Sequence, residues 1–312
     1  MSKEDILNPL KTTRLLGMDD YFDDLLKLYN SENPPKVILI SGNKGLGKFT
    51  LINHFLNYIF SKDSYNIKEK LINQNSKVYQ DQLNGVCQNI LHIKNEGIEK
   101  TKVDDIRNLK TILSQSTING TIRFIILDNA EQFNTNSSNA LLKIIEEPSK
   151  NNHFILIDNQ ENKIIETIAS RCLKINIFIN KLKRSKIIES LLGQKKIEKV
   201  LKDENLYLSP GLFLRYNYLC LENDISDKLE YLIKLEKLLK LYKKSKDKMF
   251  INLSIFFTNE YFYSLSLKKR SKIFLFDSSK NKIIHYINDF FIYNLNLTSV
   301  LNLIQSQFNN AK

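Results

Sequence analysis

The run Lys36-Val37-Ile38-Leu39-Ile40-Ser41-Gly42-Asn43-Lys44-Gly45-Leu46-Gly47-Lys48-Phe49 decides the fold. Its first six residues are short, mostly apolar and rich in β-branched side chains, which predicts a buried strand. A glycine-rich turn follows, and then a helix over about residues 48–60. Strand, turn and helix in that order are the setting that makes a G-x-x-x-x-G-K pattern a phosphate loop. In such a loop, backbone N–H groups curl around phosphate oxygens and the helix N-terminus adds positive potential. Lys48 would reach the terminal phosphates. The residue after that lysine should be Ser or Thr, whose hydroxyl holds Mg²⁺. Here it is Phe49. Thr50 follows, but one residue along a helix is about 100° of rotation, so its hydroxyl points elsewhere. Gly42, Gly45, Gly47, Lys48 and Thr50 therefore form a degenerate nucleotide-binding set. Either the loop survives as a structural turn, or Lys48 retains weak affinity for ATP or ADP.

Further apolar runs continue the pattern. Asn89–Ile93 reads as a weaker strand and Ile122–Asp128 as a fully buried one ending in an acid. His153–Ile157 is another buried strand, and Leu173–Ile177 is the last. Val103–Ser114 and Ser137–Glu147 read as helices between them, the second stopped by Pro148. Residues 62–86 are polar and unassigned. Continuous apolar strands alternating with helices predict a parallel sheet covered on both faces. Beyond about residue 180 helical patterns dominate. They give an α/β domain over 1–179, a small helical lid over 180–225 and an all-α C-terminal domain over 226–312, with a loop near Asp277-Ser278-Ser279.

Asp128 sits where a strand-terminal carboxylate supports Mg²⁺ in P-loop ATPases. The base that activates water is usually the next residue, a Glu. Here that residue is Asn129, which cannot accept a proton at neutral pH. Glu131 falls in the following turn and is not a candidate base.

Composition sets wider limits. The chain has 312 residues, 42% hydrophobic and 26% charged, which fits a globular protein of two or three domains. No apolar run is long enough for a transmembrane helix, and the acidic N-terminal stretch does not look like a secretory signal, so the cytoplasm is the expected compartment. Cys87, Cys172 and Cys220 are far apart and include no CxxC pair, which predicts reduced thiols, no metal site and no zinc. The net charge is +12, yet only seven of the 46 basic residues are Arg. Lys, Asn and Ile run high along the whole chain, so the charge permits a nucleic-acid partner without specifying one.

Three segments carry a family resemblance. Leu127-Asp128-Asn129-Ala130-Glu131, Asn139-Ala140-Leu141-Leu142-Lys143-Ile144-Ile145-Glu146-Glu147-Pro148 and Ile168-Ala169-Ser170-Arg171-Cys172 resemble the gamma/tau and delta-prime subunits of bacterial clamp loaders, AAA+ proteins of DNA polymerase III. The resemblance covers about residues 8–180. It implies an AAA+ P-loop domain, a lid and a collar-type C-terminal domain that assembles a ring. Motor subunits of the family carry the Mg²⁺-binding hydroxyl, the acidic pair, a four-cysteine zinc module and an Arg after Ser-x-Gly in the lid. This chain has Phe49, Asn129, only Cys87 in the corresponding insertion, and Leu212 after Ser209-Pro210-Gly211. Ser170-Arg171-Cys172 is intact.

That combination is similar to delta-prime, and it implies a subunit that does not hydrolyse ATP. Arg171 would reach into the neighbouring subunit's ATP site. The implied partners are gamma/tau and delta subunits, the sliding clamp and primed DNA, with no required cofactor. On the motif alone, Arg171 could equally pair with a carboxylate at a sheet edge. Lys110 and Lys143 are candidates to face DNA in the ring. Two other readings stand beside this one. A working AAA+ motor would need Mg²⁺ held without a hydroxyl at position 49. A stand-alone DNA-binding protein is suggested by charge alone, with no supporting motif.

Overall fold

The computed structural model describes residues 8–94, 109, 113, 121–202 and 208–311. The chain divides into two compact units, residues 1–191 with 209–212, and residues 192–208 with 213–312. The stretch expected as a lid is thus shared between them.

In the first unit five strands form one parallel sheet. They are β1 (Val37–Ser41), β2 (Ile90–Lys94), β3 (Arg123–Asp128), β4 (Asn152–Asp158) and β5 (Leu173–Asn176), in the order β2-β3-β4-β1-β5. The helices are α1 (Asp19–Tyr29), α2 (Lys48–Phe60), α3 (Lys77–Leu83), α4 (Thr135–Glu146), the single turn α5 (Glu166–Ala169) and α6 (Lys181–Lys195), whose last turn enters the second unit.

The unbroken apolar strands split by parity, because successive side chains point to opposite faces. Ile38, Ile40, Phe124, Ile126, Ile155 and Ile157 pack with Phe22, Leu25, Leu51, Ile52 and Phe55 of α1 and α2. Val37, Leu39, Ile125, Leu127, Phe154 and Leu156 pack on the other face with Leu141 and Ile145 of α4 and Ile168 of α5. β5 departs from the expected burial. It lies at the sheet edge with only β1 beside it, and Leu173 is 41% exposed. The helix expected over 103–114 lies outside the described residues apart from Leu109 and Leu113. Leu109 is buried in the second core. Lys110 also lies outside them.

Second-unit helices are α7 (Pro210–Glu222, its first three residues belonging to the first unit), α8 (Tyr231–Ser245), α9 (Met249–Lys268), α10 (Ile273–Tyr293) and α11 (Leu297–Ala311). Each of α8 to α11 packs on the next, and α11 returns to α8. Tyr231 of α8 ties the ring of helices together. It stacks on Tyr261 (4.4 Å between centroids) and Phe308 (5.8 Å), and its hydroxyl meets Thr258 Oγ1 at 3.0 Å. The loop expected at Asp277-Ser278-Ser279 does not form, and α10 runs straight through it. Phe276, Ser279, Ile283, Ile287 and Phe290 make one buried face at helical spacing, and Asp277 pairs with Lys280 at 2.6 Å one turn along. Tertiary burial overrides the turn propensity of Asp and Ser here.

His54 of α2 is fully buried, between the Tyr65 hydroxyl (3.0 Å) and the Thr12 carbonyl (3.1 Å). Burial lowers its pKa to about 4 from the ordinary 6.5, partly offset by the bond to Thr12. Between those values the unfolded chain binds the proton and the folded chain does not, so stability falls as pH drops through the window. Denaturant unfolding of wild type should lose on the order of 3 kcal/mol more between pH 6.5 and 4 than that of His54→Gln.

Candidate functional site

The carboxyl ends of β1, β3 and β4 meet around Lys48, and the loop between β1 and α2 closes over them. Gly45 and Gly47 take φ of 82° and 95°, a left-handed region that glycine enters without penalty. Gly47 is also the N-cap of α2. Gly45 has a second reason to lack a side chain. The Gly211 N–H donates to the Gly45 carbonyl at 2.8 Å, and the Ser209 hydroxyl donates to the Lys44 carbonyl. A Cβ on Gly45 would collide with Ser209 Oγ and come within 2.7 Å of the Leu212 nitrogen. Residues 209–212 are therefore seated directly on the loop backbone.

Lys48 is 3% exposed, and its ammonium donates to the carbonyls of Gly42 and Asn43, the latter at 3.0 Å. Burial pulls its pKa down to about 8, while the charges of Asp128, Glu131 and Asp158 pull it back up. The lysine that would bind phosphate braces the loop's own carbonyls. Thr50 is half-buried. Phe49 stacks its ring on His92 of β2, with centroids 4.4 Å apart and planes inclined by 21°.

Asp128 closes β3. Its Oδ1 accepts the Asn129 N–H at 2.9 Å and its Oδ2 faces His92 Nε2 at 3.8 Å. Burial opposes its ionisation. His92, the Asn129 N–H and Lys48 outweigh burial and hold the carboxyl below its usual range. Asn129 adopts a left-handed conformation, and its side-chain oxygen accepts from Asn159 Nδ2 at 2.5 Å. Glu131 lies in a 3₁₀ turn and is buried. Its Oε2 accepts the Asn159 N–H at 3.1 Å, and burial raises its pKa. Asp158, 4% exposed, accepts from Ser41 Oγ at 2.6 Å and from the Gln160 N–H at 2.9 Å. The sequence pointed to Lys48 and Asp128 but missed Asp158, Asn159 and His92. Asp158 was signalled, since it ends a buried strand in the same way as Asp128.

Arg171 is not part of this constellation. It precedes β5, whose Leu173 pairs with Ile38. Gly42 lies four residues beyond Ile38, so even Leu173 is about 13 Å below the loop along the strand direction. The guanidinium is over a third exposed. It pairs with Glu146 Oε1 at 2.6 Å and donates to the Thr167 carbonyl at 2.8 Å. The fold thus joins two motif segments that are separate in sequence, the end of α4 and the Ser170-Arg171-Cys172 turn. Ser170 Oγ donates to the Thr167 carbonyl at 3.2 Å, and the Cys172 thiol to the Ile168 carbonyl at 3.1 Å. Burial pushes that thiol up to about 11, so it serves the turn rather than acting as a nucleophile.

A family model described as DNA polymerase III, delta subunit, matches residues 18–181, just over half of the chain and the whole sheet. The chain belongs to that family. The DNA polymerase III gamma subunit of Buchnera aphidicola subsp. Acyrthosiphon pisum is 27% identical over 164 residues, covering 51% of this chain and 43% of the relative. The delta-prime subunit of Pseudomonas aeruginosa is 37% identical over 79 residues, 25% of this chain and 24% of the relative. The chain thus matches less than half the length of these curated relatives. Among solved structures, a gamma-subunit-related protein of Thermotoga maritima is 20% identical with a TM-score of 0.46, covering 93% of this chain and 99% of that one. Membership in the DNA polymerase III clamp-loader family accords with the parallel five-stranded sheet and the glycine-rich loop after β1. Among the described residues, no group of three or more His, Cys, Asp or Glu side chains could hold a metal ion, and no helix is long and apolar enough to cross a membrane.

Two outcomes follow from the loop. Gly45→Ala should destabilise the protein by about 1–3 kcal/mol in denaturant unfolding, through a left-handed alanine and the clash with Ser209. Lys48 in the folded chain loses its proton near pH 8, whereas in the unfolded chain it keeps it to about 10.5. The unfolded state therefore binds more protons in that window, and stability rises with pH across it. Lys48→Met should lack this rise, a difference on the order of 3 kcal/mol between pH 8 and 10.5.

Proposed function

We propose that the chain is a non-hydrolysing clamp-loader subunit of the delta-prime type. It supplies Arg171 in trans to the ATP site of a neighbouring motor subunit and helps place a sliding clamp on primed DNA. The observation that carries this reading is the position of Arg171. It stands exposed at the amino edge of the sheet, at least about 13 Å along the strands from its own loop. A guanidinium there cannot serve the phosphates of its own chain, but it can neutralise charge on a phosphoryl group presented by another.

The loop site supports the same reading from the other side. Phe49 replaces the metal-binding hydroxyl, Asn129 replaces the base, and Lys48 is committed to backbone carbonyls. Gly42, Gly45, Gly47, Lys48, Thr50 and Asp128 then serve as scaffold. The partners would be gamma/tau and delta subunits, and the four-helix arrangement of the second unit would assemble with them. Phe274 (91% exposed), Tyr293 (69%) and Ile292 (63%) offer it apolar surface.

The test is reconstitution with gamma/tau and delta subunits, clamp and primed DNA. Arg171→Ala should leave circular dichroism unchanged and slow ATP hydrolysis at the adjoining site by on the order of 10³-fold or more. Glu146→Gln, which only releases the guanidinium, should retain hydrolysis. Unchanged hydrolysis in Arg171→Ala rejects the proposal. Robust turnover by the isolated chain, abolished by Lys48→Ala, would make the chain a motor instead.

A further inference from the structure

P-loop ATPases hold Mg²⁺ through the hydroxyl that follows the loop lysine and the acid that ends the neighbouring strand. The residues here do not fit that ion, and Phe49 is only half of the reason. The pairing of β2 with β3 sets Lys94 opposite Asp128, so His92 lies two residues before that partner and shares its face of the sheet. Its Nε2 points at Asp128 Oδ2 from 3.8 Å, too far for a hydrogen bond. That nitrogen is buried and has no hydrogen-bond partner among the described residues. The Phe49 ring lies flat against the imidazole, on the loop side of it. The other carboxylate oxygen is already taken by the Asn129 N–H.

Magnesium requires a near-octahedral shell of oxygens at about 2.0–2.1 Å. An ion bound to Asp128 Oδ2 would carry its own ligands out to about 4 Å from that oxygen. A ring nitrogen at 3.8 Å stands within that sphere. Imidazole is also a poor match for Mg²⁺, which prefers carboxylate, carbonyl and water.

We infer that His92, which the pairing of β2 with β3 sets against Asp128, excludes divalent metal from this site, so that any nucleotide the loop takes is bound without Mg²⁺. The inference deepens the proposed reading of the loop as a silent nucleotide site, and it assigns the silence to a pair of residues. Restoring the hydroxyl at position 49 leaves the ring nitrogen in place, so it does not restore metal.

The test uses the full isolated chain, with Mn²⁺ followed by its paramagnetic resonance signal and ADP binding followed by calorimetry in Mg²⁺ or in EDTA. Wild type and Phe49→Thr should bind no Mn²⁺ and show the same ADP affinity, or the same lack of it, in both buffers. Phe49→Thr/His92→Ala should bind Mn²⁺ and favour Mg–ADP over free ADP by at least about tenfold, one decade of affinity being about 1.4 kcal/mol. Adding Asp128→Asn should abolish that gain. If circular dichroism shows the alanine variant unfolded, Phe49→Thr/His92→Val, with a better strand former, takes its place. Metal-dependent binding by wild type or by Phe49→Thr alone overturns the inference, as does a folded double variant with no gain. ATP hydrolysis by the assembled ring is not read here, so the Arg171 proposal and this one fail independently.

Discussion

A parallel sheet sorts its two edges by chemistry. Every strand enters at one edge and leaves at the other, and β1, β3 and β4 deliver Ser41, Asp128 and Asp158 to the same exit edge. The residue before each strand stays at the entry edge, and Arg171 reaches that edge because its turn leads into β5. Burial on both faces fixes this polarity, since slipping any central strand by one residue would exchange the isoleucines of one core for the leucines of the other. The separation of acid-rich and arginine-bearing edges is thus a product of apolar packing.

At the exit edge the polar groups largely satisfy one another. Lys48 is spent on Gly42 and Asn43, Asp158 on Ser41 and Gln160, and Asn159 on Glu131 and Asn129. In a low-dielectric setting an unpaired group costs far more than a paired one contributes, so buried polar groups gathered at one edge are under pressure to pair with one another. The depressed Lys48 pKa and the raised Glu131 pKa are the residue of that compromise: two charges kept indoors with incomplete compensation.

Much of this was legible in the sequence because the local signals agreed with the global fold. The run 36–49 combines strand, glycine turn and helix, and α2 begins and ends where periodicity puts it. Phe49 and Asn129 mark departures from the P-loop ATPase pattern by residue type alone. His92 was not legible, because its meaning depends on strand register across β2 and β3. A carboxylate partner for Arg171 was a reading the sequence left open, but Glu146 could not be named, since a helix end and a turn bring together residues 25 positions apart. At Asp277 the local signal was present and misleading, because a continuous buried face outweighed a polar triplet. Propensity reads well where one element decides, and poorly where two must meet.

The close approach of Gly45 and Gly211 has a bearing on how such chains drift over generations. A side chain on Gly211 would press on the Gly45 carbonyl, and one on Gly45 would meet Ser209 and the Leu212 nitrogen, so neither glycine can acquire a side chain while the other segment stays put. Steric coupling alone would therefore preserve part of the glycine signature, independently of any selection for binding phosphates. A motif scan that counts those glycines would be counting positions that packing alone can hold, whatever the loop binds.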